Sequence, residues 1–154
     1  MNIFVTVGTT SFDSLVQAID QGPHGINTII QTADGKYAPN TATCFKFQQN
    51  IQEHVDNADI VVCHAGAGSV FRLIQNGLIP LVVPNTERRD KHQLEIARWL
   101  TLKKYAVVAM TVDTVNDTIS NYPELRNHCV QFSEKRFFFN DSLNQIVRKK
   151  MFDN

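Results

Sequence analysis

The sequence predicts an α/β fold, a parallel sheet with helices on both faces, and three observations predict it. Short apolar runs rich in β-branched residues recur along the chain, and segments of helical period separate them. In the strand expected over 58–63, Ile60, Val61, Val62 and Cys63 follow one another without polar alternation, as in a strand covered on both faces. Strands joined through helices wind a parallel sheet by right-handed crossovers.

The first run, residues 3–7, ends at Gly8-Thr9-Thr10 and reads as a buried strand entering a tight loop. Ser11 can cap the next helix, in which Phe12, Leu15, Val16 and Ile19 recur at helical spacing until Gly22-Pro23 stops it. Residues 26–31 form the second strand and 43–47 the third, across a polar loop with Asp34-Gly35 and Pro39. A short helix over 50–57 carries Ile51 and Val55 ahead of the strand over 58–63. His64-Ala65-Gly66-Ala67-Gly68-Ser69 breaks that strand, and Val70, Phe71, Leu73 and Ile74 give a helix ending at Asn76-Gly77. Residues 78–83 are a strand closed by Pro84, and 85–89 a charged loop. Asp90 can cap a helix to Leu102 with Leu94, Ala97, Trp99 and Leu100 inside, and 105–110 make one more strand. Beyond Asp113 the pattern weakens: 115–119 read as a short helix, Tyr122-Pro123 interrupts it, and 141–151 read as a basic terminal helix.

At 154 residues the chain can bury one core without disulfide or metal staples, and a single domain over 1–154 is expected. Fifteen Lys and Arg balance fifteen Asp and Glu, which disfavours nucleic-acid binding by bulk charge. The balance is uneven: two basic against six acidic residues up to Phe71 give −4, and thirteen against nine from Arg72 onward give +4. The second half is therefore the better place for an anion. Three cysteines without C-x-x-C spacing suggest neither a disulfide framework nor a zinc knuckle, and fit a reducing cytoplasm. No basic leader precedes the first strand, and no run approaches the roughly eighteen apolar residues of a membrane span. Any membrane contact is expected through a surface or a partner.

Ligands of open parallel sheets sit beyond the carboxyl ends of the strands. Gly8-Thr9-Thr10, the loop over 64–69 and the loop over 84–93 should converge there. Glycines let backbone N–H groups approach a ligand, Ser69 adds a hydroxyl, and the following helix points its positive end at the spot. Together these describe a pocket for a phosphate or diphosphate, although an isolated Gly-x-Gly is as readily a close-packed strand-to-helix turn. A dinucleotide fingerprint would need a third glycine where Phe71 stands and would normally lie on the first strand, and no Gly-Lys-Ser/Thr completes a Walker loop, so neither pattern fits. His64 could donate to a phosphate oxygen and, when protonated, balance leaving-group charge; at the end of an apolar strand a lone histidine is more often structural. His92 and Gln93 read either as solvent-facing residues or as partners of sugar hydroxyls. Glu95 reads as an acceptor for ribose or sugar hydroxyls or as the partner of Lys91 at i−4. Thr9 and Thr10 line the site or cap the first helix.

The segments IFVTVGTTSFD over 3–13, VCHAGAGS over 62–69 and His92-Gln93-Leu94-Glu95 together resemble the glycosyltransferase family 28 C-terminal domain. Three ordered motifs over about residues 1–110 are far more specific than one glycine loop. Within the family the chain is similar to the small stand-alone donor-binding subunits of split UDP-sugar transferases, in lipid-linked oligosaccharide and bacterial exopolysaccharide assembly. The resemblance implies a Rossmann-like domain equivalent to the C-terminal half of a GT-B enzyme. It would hold a UDP-sugar as donor substrate, with no further cofactor, while a membrane-anchored subunit binds a polyprenyl-diphosphate-linked acceptor. The chain would then be cytoplasmic and peripheral at the inner face of the membrane.

Carried over by position, Gly66, Gly68 and Ser69 hold the diphosphate with His64 beside it, His92 and Gln93 contact the donor sugar, and Gly8, Thr9 and Thr10 line the cleft facing the partner. Related transferases often carry a glutamate three residues after the loop serine for the ribose; this chain has Arg72, leaving Glu95 as the substitute. The implied chemistry is inverting transfer with the base on the acceptor half, and no Asp-x-Asp metal motif occurs. Phe137, Phe138 and Phe139 beside Lys135 and Arg136, with Arg148, Lys149 and Lys150, read as a docking surface or as core with a solvated face. The competing function is a non-catalytic nucleotide-sugar-binding module that regulates or stabilises a partner transferase, and Arg72 favours it.

Overall fold

The computed structural model describes residues 1–22, 27–87 and 91–133. Six strands, β1 (Asn2–Thr6), β2 (Asn27–Gln31), β3 (Thr43–Phe45), β4 (Ile60–His64), β5 (Leu81–Val83) and β6 (Val107–Val108), form one sheet. Helices α1 (Asp13–Asp20), α2 (Gln52–Asp56), α3 (Ala67–Gln75), α4 (His92–Lys103), α5 (Val115–Ser120) and α6 (Tyr122–Arg126), with one 3-10 turn over Val112–Thr114 ahead of α5, complete the described elements. The strand order is β3-β2-β1-β4-β5-β6 and every neighbouring pair is parallel. The order reverses between β1 and β4, which pair from Ile3 opposite Ile60 to Thr6 opposite Cys63. At such a switch point the connections leave toward opposite faces and open a crevice beyond the strand ends.

Strand alternation sorts the core into two layers. Ile3, Val5, Ile60, Val62, Leu81 and Val83 pack with Leu15, Val16 and Ile19 of α1 and Val115 and Ile119 of α5. Phe4, Val61, Cys63 and Val82 face the other way, onto Val70, Phe71, Leu73 and Ile74 of α3 and Ala97 and Leu100 of α4. With helices on both faces, Ile60, Val61, Val62 and Cys63 of β4 are all buried, which is why the strand carries no polar alternation before His64.

Several local expectations are corrected. Phe12, not Ser11, occupies the N-cap of α1 and makes no side-chain cap bond; the Ser11 carbonyl instead accepts from Asn85 Nδ2 at 3.3 Å. β5 begins only at Leu81, because the Leu78 N–H is used at the end of α3, where it donates to the Leu73 carbonyl at 3.2 Å while Gly77 donates to Ile74. The interruption expected at Tyr122-Pro123 is present, since α5 ends at Ser120; what was not expected is that a new helix, α6, starts there, with Pro123 in its first turn where a missing N–H would be unpaired anyway. The Tyr122 hydroxyl donates to the Ile79 carbonyl and fastens α6 to the entry of β5. Lys91 stands at the N-cap of α4. Asp90, Pro23, Ile26, the aromatic and basic residues over 135–139 and the terminal helix expected over 141–151 lie outside the described residues.

The polar loop after β2 is held by acidic residues of α1. Asp13 Oδ1 accepts from the N–H of Lys36 at 3.0 Å and of Tyr37 at 3.3 Å. Asp20 accepts from the N–H groups of Asn40, Thr41 and Ala42 and from the hydroxyls of Tyr37 and Thr41, all within 3.1 Å. Burial alone would raise the Asp20 pKa; these donors outweigh it and hold the carboxyl well below the usual range. Among the described residues no helix is long and apolar enough to cross a membrane.

Candidate functional site

A cleft of about 380 Å³ opens beyond the carboxyl ends of β1 and β4. Gly8 and Thr9 bound it on one side, His64 and Gly66 form its floor, and Gly68 and Ser69 face it from the start of α3. Six of the expected site residues are therefore brought together.

The loop after β1 is fixed by a pair the sequence reading passed over. Thr6 Oγ1 donates to Gln31 Oε1 at 2.6 Å and accepts the Gly8 N–H at 3.2 Å. Gly8 has φ +67°, a conformation that strains any side chain, and a Cβ there would lie 2.7 Å from His64 Cε1. A Cβ on Gly66 would lie 2.1 Å from His64 Nε2. These two glycines make room for the imidazole. Gly68 differs: a Cβ there would meet nothing within 4 Å, so its backbone is open to whatever enters the cleft.

Gly68 and Ser69 stand in the first turn of α3 rather than in a loop, with Gly66 at the N-cap. The first bond of the helix runs from the Val70 N–H to the Gly66 carbonyl at 3.0 Å. The N–H groups of Ala67, Gly68 and Ser69 precede it and have no acceptor within the helix. Three such donors at the positive end of a nine-residue helix favour an anion in the cleft.

His64 is 9% exposed and its Nδ1 is buried without a hydrogen-bond partner. Burial lowers its pKa from the ordinary 6.5, with the Thr6 backbone opposing in part. The ring is therefore neutral at neutral pH. It can serve as a hydrogen-bond donor, whereas the protonated form that would balance leaving-group charge is disfavoured.

Thr10, His92, Gln93 and Glu95 are not among the residues lining this cleft. Gln93 Oε1 accepts the Asn85 N–H at 2.8 Å, and Asn85, 3% exposed, reaches the Ser11 carbonyl. The loop after β5 is thereby tied to the loop after β1, next to the cleft. His92 Nδ1 lies 3.8 Å from Glu95 Oε2 on the first turn of α4. Arg72 and Asn76 of α3 and Gln52 of α2 also line the cleft and were not expected as contacts. For Arg72 and Asn76 the signal lies in helical spacing from Ser69, visible once α3 is known to begin at Ala67; Gln52 belongs to a different helix and has no such signal. Among the described residues no group of three or more His, Cys, Asp or Glu could hold a metal ion.

The class that this topology defines is the Rossmann-like α/β domain forming the C-terminal half of GT-B glycosyltransferases. Residues 2–136 match the glycosyltransferase family 28 C-terminal domain, and the chain belongs to that family. It is 34% identical over 113 residues to the UDP-N-acetylglucosamine transferase subunit ALG13 of Homo sapiens, covering 64% of this chain and 10% of that protein. The chain thus spans about a tenth of the length of the human and mouse relatives. The crystal structure of Acinetobacter baumannii MurG superposes with a TM-score of 0.60 at 21% identity, over 83% of this chain and 45% of that one. The NMR solution structure of ALG13 gives a TM-score of 0.56 at 19% identity, over 95% and 94%.

Proposed function

We propose that this chain is the donor-binding subunit of a two-component inverting glycosyltransferase. It seats a UDP-sugar in the cleft while a membrane-anchored subunit presents a polyprenyl-diphosphate-linked acceptor. The observation that carries the reading is Gly68, whose backbone faces open space at the start of α3, at the switch point of the sheet. Relatives named as UDP-N-acetylglucosamine transferase subunits support a UDP-sugar as the donor.

In this reading the diphosphate lies against the N–H groups of Ala67, Gly68 and Ser69 and the Ser69 hydroxyl. An acceptor hydroxyl attacks the anomeric carbon from the opposite face, the bond to the diphosphate oxygen breaks, and UDP leaves. Donors already fixed in place stabilise the charge that grows on the leaving group. His64 contributes as a neutral donor, and His92 and Gln93 stand toward the sugar. Among the described residues lining the cleft there is no carboxylate, and in this reading the base that removes the acceptor proton belongs to the other subunit. The same absence supports the second reading, a non-catalytic nucleotide-sugar-binding module that stabilises or regulates a transferase. Association with the inner face of the membrane follows through the acceptor-binding subunit.

Calorimetric titration with UDP and a panel of UDP-sugars tests both readings. Binding below millimolar concentration is expected, and failure of every UDP compound to bind removes both. Adding the acceptor-binding subunit with a polyprenyl-diphosphate acceptor separates them: turnover selects the enzyme subunit, and binding without turnover selects the module. His92→Ala should weaken UDP-sugar more than UDP; equal losses would take His92 away from the sugar.

A further inference from the structure

One face of α3 carries the cleft past the phosphate seat. Ser69, Arg72, Leu73 and Asn76 follow each other at helical spacing and all line it. Across from them Ile51, Gln52 and Val55 of α2 form the facing wall. The trough is thus apolar at Ile51, Val55 and Leu73, and past the Ser69 hydroxyl its polar side chains are the amides of Gln52 and Asn76 and the Arg72 guanidinium. Arg72 is exposed, and no carboxylate among the described residues pairs with it.

That composition decides which parts of a nucleotide can be read. Nucleotide-binding α/β folds hold the ribose hydroxyls with an Asp or Glu, which accepts from them, and use Arg where a phosphate must be accommodated. A guanidinium has five donors and no acceptor, in a fork that matches phosphate oxygens. Resting on the donor-site reading above, we infer that Arg72 is the specificity-determining residue of the nucleotide half of the cleft. It reads phosphate charge and leaves the ribose 2′-hydroxyl to the uncharged amides of Gln52 and Asn76. The site therefore separates nucleoside diphosphates from monophosphates sharply and ribonucleotides from deoxyribonucleotides only weakly.

The test is calorimetric titration of UDP, UMP and 2′-deoxy-UDP into the wild type, Arg72→Ala, Arg72→Lys and Arg72→Glu. The wild type should bind UDP about tenfold or more tighter than UMP, and 2′-deoxy-UDP within about threefold of UDP. Arg72→Ala should lose about tenfold for UDP and less for UMP, with Arg72→Lys recovering part and Arg72→Glu losing most. Added salt should weaken UDP binding by the wild type more than by Arg72→Ala. The side chain is exposed, so unchanged melting temperatures should accompany these losses. A wild type that binds 2′-deoxy-UDP more than about tenfold more weakly than UDP, or an Arg72→Ala variant with unchanged UDP affinity, overturns the inference and leaves the donor site standing. A wild type that binds none of the three overturns the donor site itself.

Discussion

Asp20 and His64 are buried to nearly the same degree, at 4% and 9% exposure, yet their surroundings differ in kind. The Asp20 carboxylate accepts from three backbone N–H groups and two hydroxyls and stitches residues 37–42 to α1. His64 Nδ1 has no partner, its ring lies against two glycines, and the cleft opens over it. A buried polar group with every lone pair satisfied serves the fold; one left with unused capacity at a cavity is where a ligand finds its contacts. The contrast separates structural from ligand-facing polarity without reference to any relative.

The largest effect that would break this contrast is at Asp20. Asp20→Ala removes the shared acceptor of five part-buried hydrogen bonds and should lower stability by about 2 kcal/mol in denaturant titration, while UDP affinity of the folded protein stays unchanged. An equal loss of UDP affinity would make the α1 clamp part of the site. Next come the paired glycines. Gly66→Ala drives a methyl group into the His64 ring and should remove about 1–3 kcal/mol together with UDP binding. Gly68→Ala has room and lies in a helix, so stability should hold or rise by up to about 1 kcal/mol while UDP affinity falls. If both substitutions destabilise alike, the two glycines have one role and not two.

The smallest effect is a pair of acid transitions in different windows. His64 has a depressed pKa when folded, so the unfolded chain takes up its proton first; stability is full above about 6.5 and declines as pH falls below it. The slope from this single group is at most about 1.4 kcal/mol per pH unit. Asp20 is also depressed, so its contribution is full above its ordinary 3.8 and is lost as pH falls through and below that value. Melting temperatures followed from neutral to acid pH should show both declines, and His64→Gln should abolish the upper one alone. A wild-type profile flat down to the lower window would contradict a neutral, buried His64.

Much of this architecture was legible because strands covered on both faces spell themselves out as apolar runs without alternation, as Ile3, Phe4 and Val5 and then Ile60, Val61, Val62 and Cys63 do. The cleft was legible in part, since Gly8, His64 and Gly66 sit at or just past strand ends where the chain changes direction. What stayed hidden depends on partners distant in sequence. Asp20 reads as one more polar residue at a helix end, and its donors come from the loop twenty residues onward. Thr6 and Gln31 meet only through the β1–β2 register, although a threonine inside an apolar run was a clue. The start of α3 was set too late because Gly68 and Ser69 have poor helix propensity, which matters little in a first turn whose N–H groups lack helical acceptors. Ser11 looked like a cap by residue type, but its carbonyl is drawn toward Asn85 and the helix opens one residue later.

The sheet's two rims have a consequence for how this chain meets other proteins. β3 offers three residues and β6 two, and each is already bonded along one side. So few free rungs give an incoming strand almost nothing to extend, and edge-to-edge growth into larger sheets or fibrils is suppressed by brevity alone. Recognition between this chain and any other protein is thereby left to side chains on helices and loops, where single surface substitutions can retune it without touching the ladder.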